Sequence, residues 1–228
     1  MIVNALHPEE IRIAIKDGKE LTDLEVESKL GRKLKGNVYK AKVARIEPSL
    51  QAAFLDIGTQ RNGFLQINDI HPSYFVKNPP KGVSGNRIPI QDVLEQGQEL
   101  IVQVVKEERN LKGATLTTYL SLPGRYVVLM PGSDRGGISR KIINSDQRTR
   151  LKKLSKELEL PTGIGLIVRT AGLDRSMSDL TRDTANQIKL WEGVLEEAQT
   201  AETPCVLYQE SDVTTRVIRD YFTPDVRE

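Results

Sequence analysis

The sequence has a single cysteine, Cys205, in 228 residues. One thiol closes no internal disulfide and builds no multi-cysteine metal site, which suits a reducing compartment. An excess of charge is also missing: 33 Lys and Arg stand against 31 Asp and Glu, a net charge of +2. Bulk charge therefore does not announce nucleic-acid binding, and any basic surface has to arise from local clustering. No apolar run approaches membrane-spanning length, and Met1 to His7 lacks the charged-then-apolar pattern of a signal peptide. The expectation from these absences is a cytoplasmic protein.

The remaining composition, 38% hydrophobic and 28% charged, is ordinary for a soluble globular protein of one large or two small domains. The chain is organised around Gly36 to Thr118. At its centre are AAFLDIG (Ala52 to Gly58) and RNGFLQI (Arg61 to Ile67), two apolar runs split by turn chemistry, the pattern of a hairpin. Phe54 and Phe64 fall on its two strands. Paired aromatics on a small curved sheet with lysines nearby suit base stacking, and they equally suit a buried core; the pattern alone leaves both open.

Earlier in the chain, Ile11, Ile13 and Ile15 alternate with polar residues, Asp17-Gly18 signals a hairpin, and Leu21, Leu24 and Val26 alternate with Asp23, Glu25 and Glu27. The acidic trio is the first place to look for a carboxylate metal site, but a solvated strand face explains it better. Asn37 to Ile46 reads as a strand. His71 to Ile90, rich in Pro and Gly, reads as a long irregular loop. Gln91 to Glu95 turns the chain into a strand, Glu99 to Lys106. A charged turn with Lys112 then leads to a last strand through Ala114 to Leu122. About five short strands with uneven loops outline an OB-type barrel, whose sheet face binds oligonucleotides.

Beyond Pro123, Tyr126 to Met130 and Gly165 to Thr170 read as buried strands. Ser145 to Glu159 reads as a helix capped by Ser145. Met177 to Gln199 reads as the best helix, with Leu180, Thr184, Ile188, Trp191, Leu195 and Ala198 in its stripe. Arg169 and Thr170 end a strand; an Arg beside a hydroxyl can hold an oxyanion through charge-assisted hydrogen bonds, and an Arg at a strand end more often simply pairs with a carboxylate. A strand at Pro204 to Gln209 and helical spacing from Asp212 to Phe222 close the chain.

Several runs carry a resemblance: RIEPSLQAAFLDIG (Arg45 to Gly58), RNGFL (Arg61 to Leu65), NLKGATLTT (Asn110 to Thr118), YVVLMP (Tyr126 to Pro131), GGISRKI (Gly136 to Ile142), GLIVRTAG (Gly165 to Gly172) and RVIRDYF (Arg216 to Phe222). In these the chain closely resembles the amino-terminal part of the bacterial ribonuclease E/G family, endoribonucleases of RNA decay and of rRNA and tRNA processing. The resemblance implies a mostly-β α+β fold. Residues 36–119 would be an OB-fold barrel of the S1 type and 120–204 a 5′-sensor region. Both would be inserted in a split ribonuclease-H-like subdomain made of 1–35 and 205–228.

The resemblance further implies that Phe54, Phe64 and Lys112 contact RNA, while a tyrosine of some members falls on Ile57. It implies that Arg169 and Thr170 contact the phosphate of a 5′-monophosphate end, with Gly124 and Val128 beside the terminal nucleotide. The implied substrate is single-stranded RNA, and the implied assembly is a homo-oligomer with RNA-decay complex partners. The family's catalytic Mg²⁺ and inter-subunit Zn²⁺ are held downstream. The expectation is thus no catalytic or metal-binding residue in this chain: recognition apparatus without the cutting site. A stand-alone, non-catalytic single-stranded-RNA-binding protein is the alternative.

Overall fold

The computed structural model describes residues 1–7, 9–28, 33–76, 88–109, 112–133, 136–222 and 226. The chain divides into two compact units, Met1–Lys33 with Glu210–Glu228, and Leu34–Gln209. In chain order the strands are β1 (Ile2–His7), β2 (Glu10–Asp17), β3 (Glu20–Ser28), β4 (Val38–Glu47), β5 (Ala52–Asp56), β6 (Gly63–Gln66), β7 (Glu99–Lys106), β8 (Thr115–Thr117), β9 (Leu122–Pro123), β10 (Val127–Pro131), β11 (Gly137–Ile138), β12 (Ile164–Val168) and β13 (Cys205–Tyr208). The helices are α1 (Ile90–Val93), α2 (Ser145–Glu157), α3 (Met177–Thr200) and α4 (Val213–Tyr221).

In the smaller unit, β1, β2 and β3 form an antiparallel sheet. The expected hairpin forms: Asp17 pairs with Glu20, and Gly18 has φ +56°, the left-handed region such a turn needs. Helix α4 is capped by Asp212, whose carboxylate accepts from the Thr215 amide at 2.8 Å. It packs Val213 and Val217 against Ile13, flanked by Ile11 and Ile15.

Strand β3 reverses the polarity expected of it. Leu21, Leu24 and Val26 are the exposed set, while Asp23, Glu25 and Glu27 are half-buried. The carboxylates take the inner face because α4 supplies their partners. Arg216 lies 3.1 Å from Glu25, and Tyr221 donates its hydroxyl to Asp23. Lys33 lies 3.0 Å from Glu27.

The larger unit holds a closed five-stranded barrel, β4-β5-β6-β8-β7 and back to β4. Every neighbouring pair is antiparallel except β6 and β8, which run parallel. This is the mostly-β, OB-like architecture expected. Val43, Ala53, Leu55, Leu65, Leu100, Val102, Val104 and Leu116 fill the interior. Between strands, the described part of the 65–90 stretch forms 3-10 turns at Ile67–Asp69 and Pro72–Tyr74. Residues 77–87 of the expected long loop lie outside the described residues. The expected turn at Gln91–Glu95 is made largely by the single helical turn α1.

Strand β13 pairs with the start of β4, Cys205 opposite Lys40, continuing the edge that β5 covers further along. It therefore lies in the larger unit, which runs to Gln209.

The rest of this unit is a sheet in the order β11-β12-β10-β9. Helix α2 with its C-cap Leu158, and helix α3, bury Leu151, Leu158, Leu180 and Val194 against Leu122, Val127, Leu129, Leu166 and Val168. Val194 is buried where Leu195 was expected, and Leu195 is exposed. Helix α2 is capped one residue earlier than expected: the Asn144 side chain, not Ser145, accepts from the amides of Asp146 and Gln147, both at 3.0 Å. Helix α3 opens with a capping box between Ser176 and Asp179.

Candidate nucleic-acid interface

Side chains of successive strand residues point to opposite faces. Ala53, Leu55 and Leu65 are fully buried in the barrel, so Phe54 and Phe64 face outward. They are register partners on β5 and β6, with ring centroids 5.7 Å apart and a tilt of 58°. Both rings are half-buried, and neither belongs to the barrel core. Of the two readings the pattern left open, the core is excluded. Ile57 is buried, so its position offers no surface to a base.

Arg45, which sequence reasoning did not single out, lies with its guanidinium 4.8 Å from the centre of the Phe54 ring. Lys112 is exposed on the turn into β8, three residues before Thr115, which is the register partner of Phe64. Gly113 beside it is obligatory: a Cβ there would lie 1.9 Å from the Asn62 carbonyl oxygen. The close passage of this turn against Asn62, with the Phe64 amide donating to the Ala114 carbonyl at 2.7 Å, brings Lys112 to the β6 end of the aromatic pair.

The second cluster is built on backbone. Gly124 to Val127 forms a tight turn between β9 and β10, closed by the Gly124 amide donating to the Val127 carbonyl at 2.8 Å. Arg169 follows β12, the strand paired with β10. Its guanidinium donates to the Gly124 carbonyl at 2.6 Å, and its amide to the Tyr126 carbonyl at 2.8 Å. Thr170 is exposed and starts a 3-10 turn, Thr170–Gly172. Val128 is half-buried and pairs with Pro123 and Ile167. Gly124, Val128, Arg169 and Thr170 thus lie at one end of one sheet.

Asp183 of α3, absent from the sequence reading, holds that turn. Its carboxylate accepts from the amides of Arg125, Tyr126 and Val127 at 3.2, 2.7 and 3.0 Å. No local signal marks it, since a mid-helix aspartate reads as solvated. The Tyr126 ring carries two guanidiniums, Arg125 at 5.5 Å and Arg175 at 5.2 Å. The corner is therefore cationic despite the balanced charge of the chain.

The acidic trio does not fit a metal. Glu25 and Glu27 face Arg216 and Lys33, and the hydrogen bond to Asp23 pushes the Tyr221 hydroxyl up to about 12. Among the described residues no group of three or more His, Cys, Asp or Glu is placed to hold an ion. Among the described residues no helix is long and apolar enough to cross a membrane.

Residues 33–118 match the S1 RNA binding domain, and residues 121–228 match the Ribonuclease E/G family. Over its whole length the chain is similar to members of the ribonuclease E/G family. It is 48% identical to ribonuclease E of Escherichia coli strain K12 over its full length, covering 21% of that protein. Identity to ribonuclease E of Haemophilus influenzae is also 48%, covering 24% of that protein. With ribonuclease G of Escherichia coli strain K12 it shares 38% identity over 97% of this chain and 45% of that protein. The chain thus spans a quarter or less of these ribonuclease E relatives and under half of ribonuclease G. The S1 match covers the barrel that bears Phe54 and Phe64, and the ribonuclease E/G match covers the corner that bears Arg169.

Proposed function

We propose that this chain is the RNA-recognition portion of an endoribonuclease acting on single-stranded RNA in RNA decay and in rRNA and tRNA processing. The observation that carries the reading is the outward-facing Phe54–Phe64 pair on an S1 barrel. Two half-buried, outward-facing rings offer stacking platforms that tolerate any base, and Lys112 offers a cation to the backbone.

The Arg169–Thr170 corner receives a 5′-monophosphate, with Gly124 and Val128 against the terminal nucleotide. The support is chemical: a guanidinium fixed by a carbonyl, an adjacent hydroxyl, and further cations on Tyr126. Phosphate occupancy favours a conformation that presents RNA for cutting, through differential affinity for two states. Hydrolysis of a phosphodiester is assisted by a metal-bound water. Among the described residues no three or more His, Cys, Asp or Glu gather, and Cys205 is the single cysteine of the sequence. We assign both ions, the homo-oligomer and the decay-complex partners to the longer protein, and place it in the cytoplasm. The stand-alone RNA-binding alternative is not favoured, because relatives named as ribonucleases match the chain from end to end.

The test is binding to one short single-stranded RNA carrying either a 5′-monophosphate or a 5′-hydroxyl, with Mg²⁺ present and the RNA checked for cleavage. Tighter binding of the monophosphate without cleavage is expected. Equal binding of both removes the 5′-sensing reading and leaves the barrel. Cleavage overturns the placement of the chemistry outside this chain.

A further inference from the structure

The aromatic pair lies in a longer row. Strand register aligns Arg45, Phe54, Phe64, Thr115 and Lys106 across β4, β5, β6, β8 and β7. Both ends of the row are cations, and both reach it through a register shift. On β4, Val43 pairs with Leu55 and Arg45 with Phe54, which makes Ala44 an extra residue. On β7, Val104 pairs with Leu116 and Lys106 with Thr115, which makes Val105 an extra residue.

Val43 and Val104 are buried in the barrel. Strict alternation would aim Arg45 and Lys106 inward beside them. One inserted residue on each strand turns both cations out onto the aromatic face. Both are exposed, and neither meets a carboxylate in an ion pair among the described residues.

The neighbouring row differs in charge. There Lys42 stands between Glu99 and Asp56. A polyanion gains nothing from a cation flanked by two carboxylates, whereas the Arg45–Lys106 row has no acidic member. Stacking on Phe54 also holds the Arg45 guanidinium in place, so less side-chain freedom is lost on binding.

We infer that single-stranded RNA crosses the barrel along this row, its bases over Phe54 and Phe64 and its backbone held by Arg45 at one end and Lys106 at the other. The inference rests on the RNA-binding reading above and adds to it a path and two phosphate contacts. Each phosphate neutralised on a single strand contributes about 0.7 to the slope of log K against log salt.

The experiment measures that slope for 5′-hydroxyl RNA with the whole chain and its Arg45→Ala, Lys106→Ala, Lys42→Ala and Phe64→Ala variants. Arg45→Ala and Lys106→Ala are each expected to weaken binding several-fold and to lower the slope by about 0.7. Arg45→Lys and Lys106→Arg are expected to restore the slope, and Lys42→Ala to leave it unchanged. If Phe64→Ala weakens binding while both cation variants keep the parent slope, this path is overturned and the stacking reading stands. If Phe64→Ala changes nothing, both fall. A slope lowered equally by Lys42→Ala means diffuse attraction and also overturns the path.

Discussion

The barrel face and the Arg169 corner are assembled from different parts. The barrel uses side chains: Phe54 and Phe64 stand opposite each other because β5 and β6 are in register, and a rigid closed sheet fixes their spacing. The corner sets its side chains through backbone: the Gly124 carbonyl holds the Arg169 guanidinium, and the three amides from Arg125 to Val127 are tied to Asp183. A side-chain platform accepts any base with a π-face. A guanidinium tied down by backbone has a set geometry. The first should govern affinity for RNA in general, and the second should govern discrimination between RNA ends.

The sharpest break between them is the double substitution Phe54→Ala with Phe64→Ala. Each ring lost should cost about 1–3 kcal/mol of binding. The pair should abolish measurable affinity for short single-stranded RNA with either end, as read by titration of both RNAs. Equal affinity in the variant would show that the rings are idle. Arg169→Ala should do the converse. It removes charge-assisted hydrogen bonds worth about 1.5–3 kcal/mol each, so the preference for the 5′-monophosphate should fall at least tenfold. Affinity for 5′-hydroxyl RNA should stay near that of the parent chain. An intact preference would remove Arg169 from the phosphate site.

How far the sequence spoke follows the same division. The hairpin, the five short strands and the long helix were legible because apolar spacing and turn residues report them directly. Which face of a strand turns inward was not always legible. On β3 the alternation was clear, yet the carboxylates went inward because Arg216 and Tyr221, almost two hundred residues later, pair with them. Arg45 was hidden by the bulge at Ala44, since alternation counted from Val43 points it into the core. The corner could not be read from spacing at all. Backbone groups carry no signature, and Arg169 and Thr170 came to notice as a bare chemical pair, given a role only by the resemblance. The cap of α2 was missed by one residue because Asn144 and Ser145 are both good cap residues and sequence does not say which turns first.

The finest test of the comparison is Asp183, which touches the corner only through backbone. Its three accepted hydrogen bonds fix the turn that offers the Gly124 carbonyl to Arg169. Gly124 fits the arrangement closely, since a Cβ there would lie 2.7 Å from the Asp183 carboxylate. Asp183→Ala leaves three amides without this partner, in a half-exposed place where water replaces part of what is lost. The cost should sit at the low end of the 1–3 kcal/mol typical of an unmet buried group, and melting should drop by about 2–4 °C per kcal/mol. That loss alone would be merely structural. The distinguishing readout is the ratio of affinities for monophosphate and hydroxyl ends, which cancels any general loss of folded protein. The ratio should fall several-fold in Asp183→Ala. It should fall less in Asp183→Asn, which keeps one acceptor oxygen, and binding of 5′-hydroxyl RNA through the barrel should not change. A lowered melting temperature with an unchanged ratio would mean that the turn keeps its shape without the carboxylate. In that case Arg169 alone, through Gly124 and Tyr126, would be enough to set the corner.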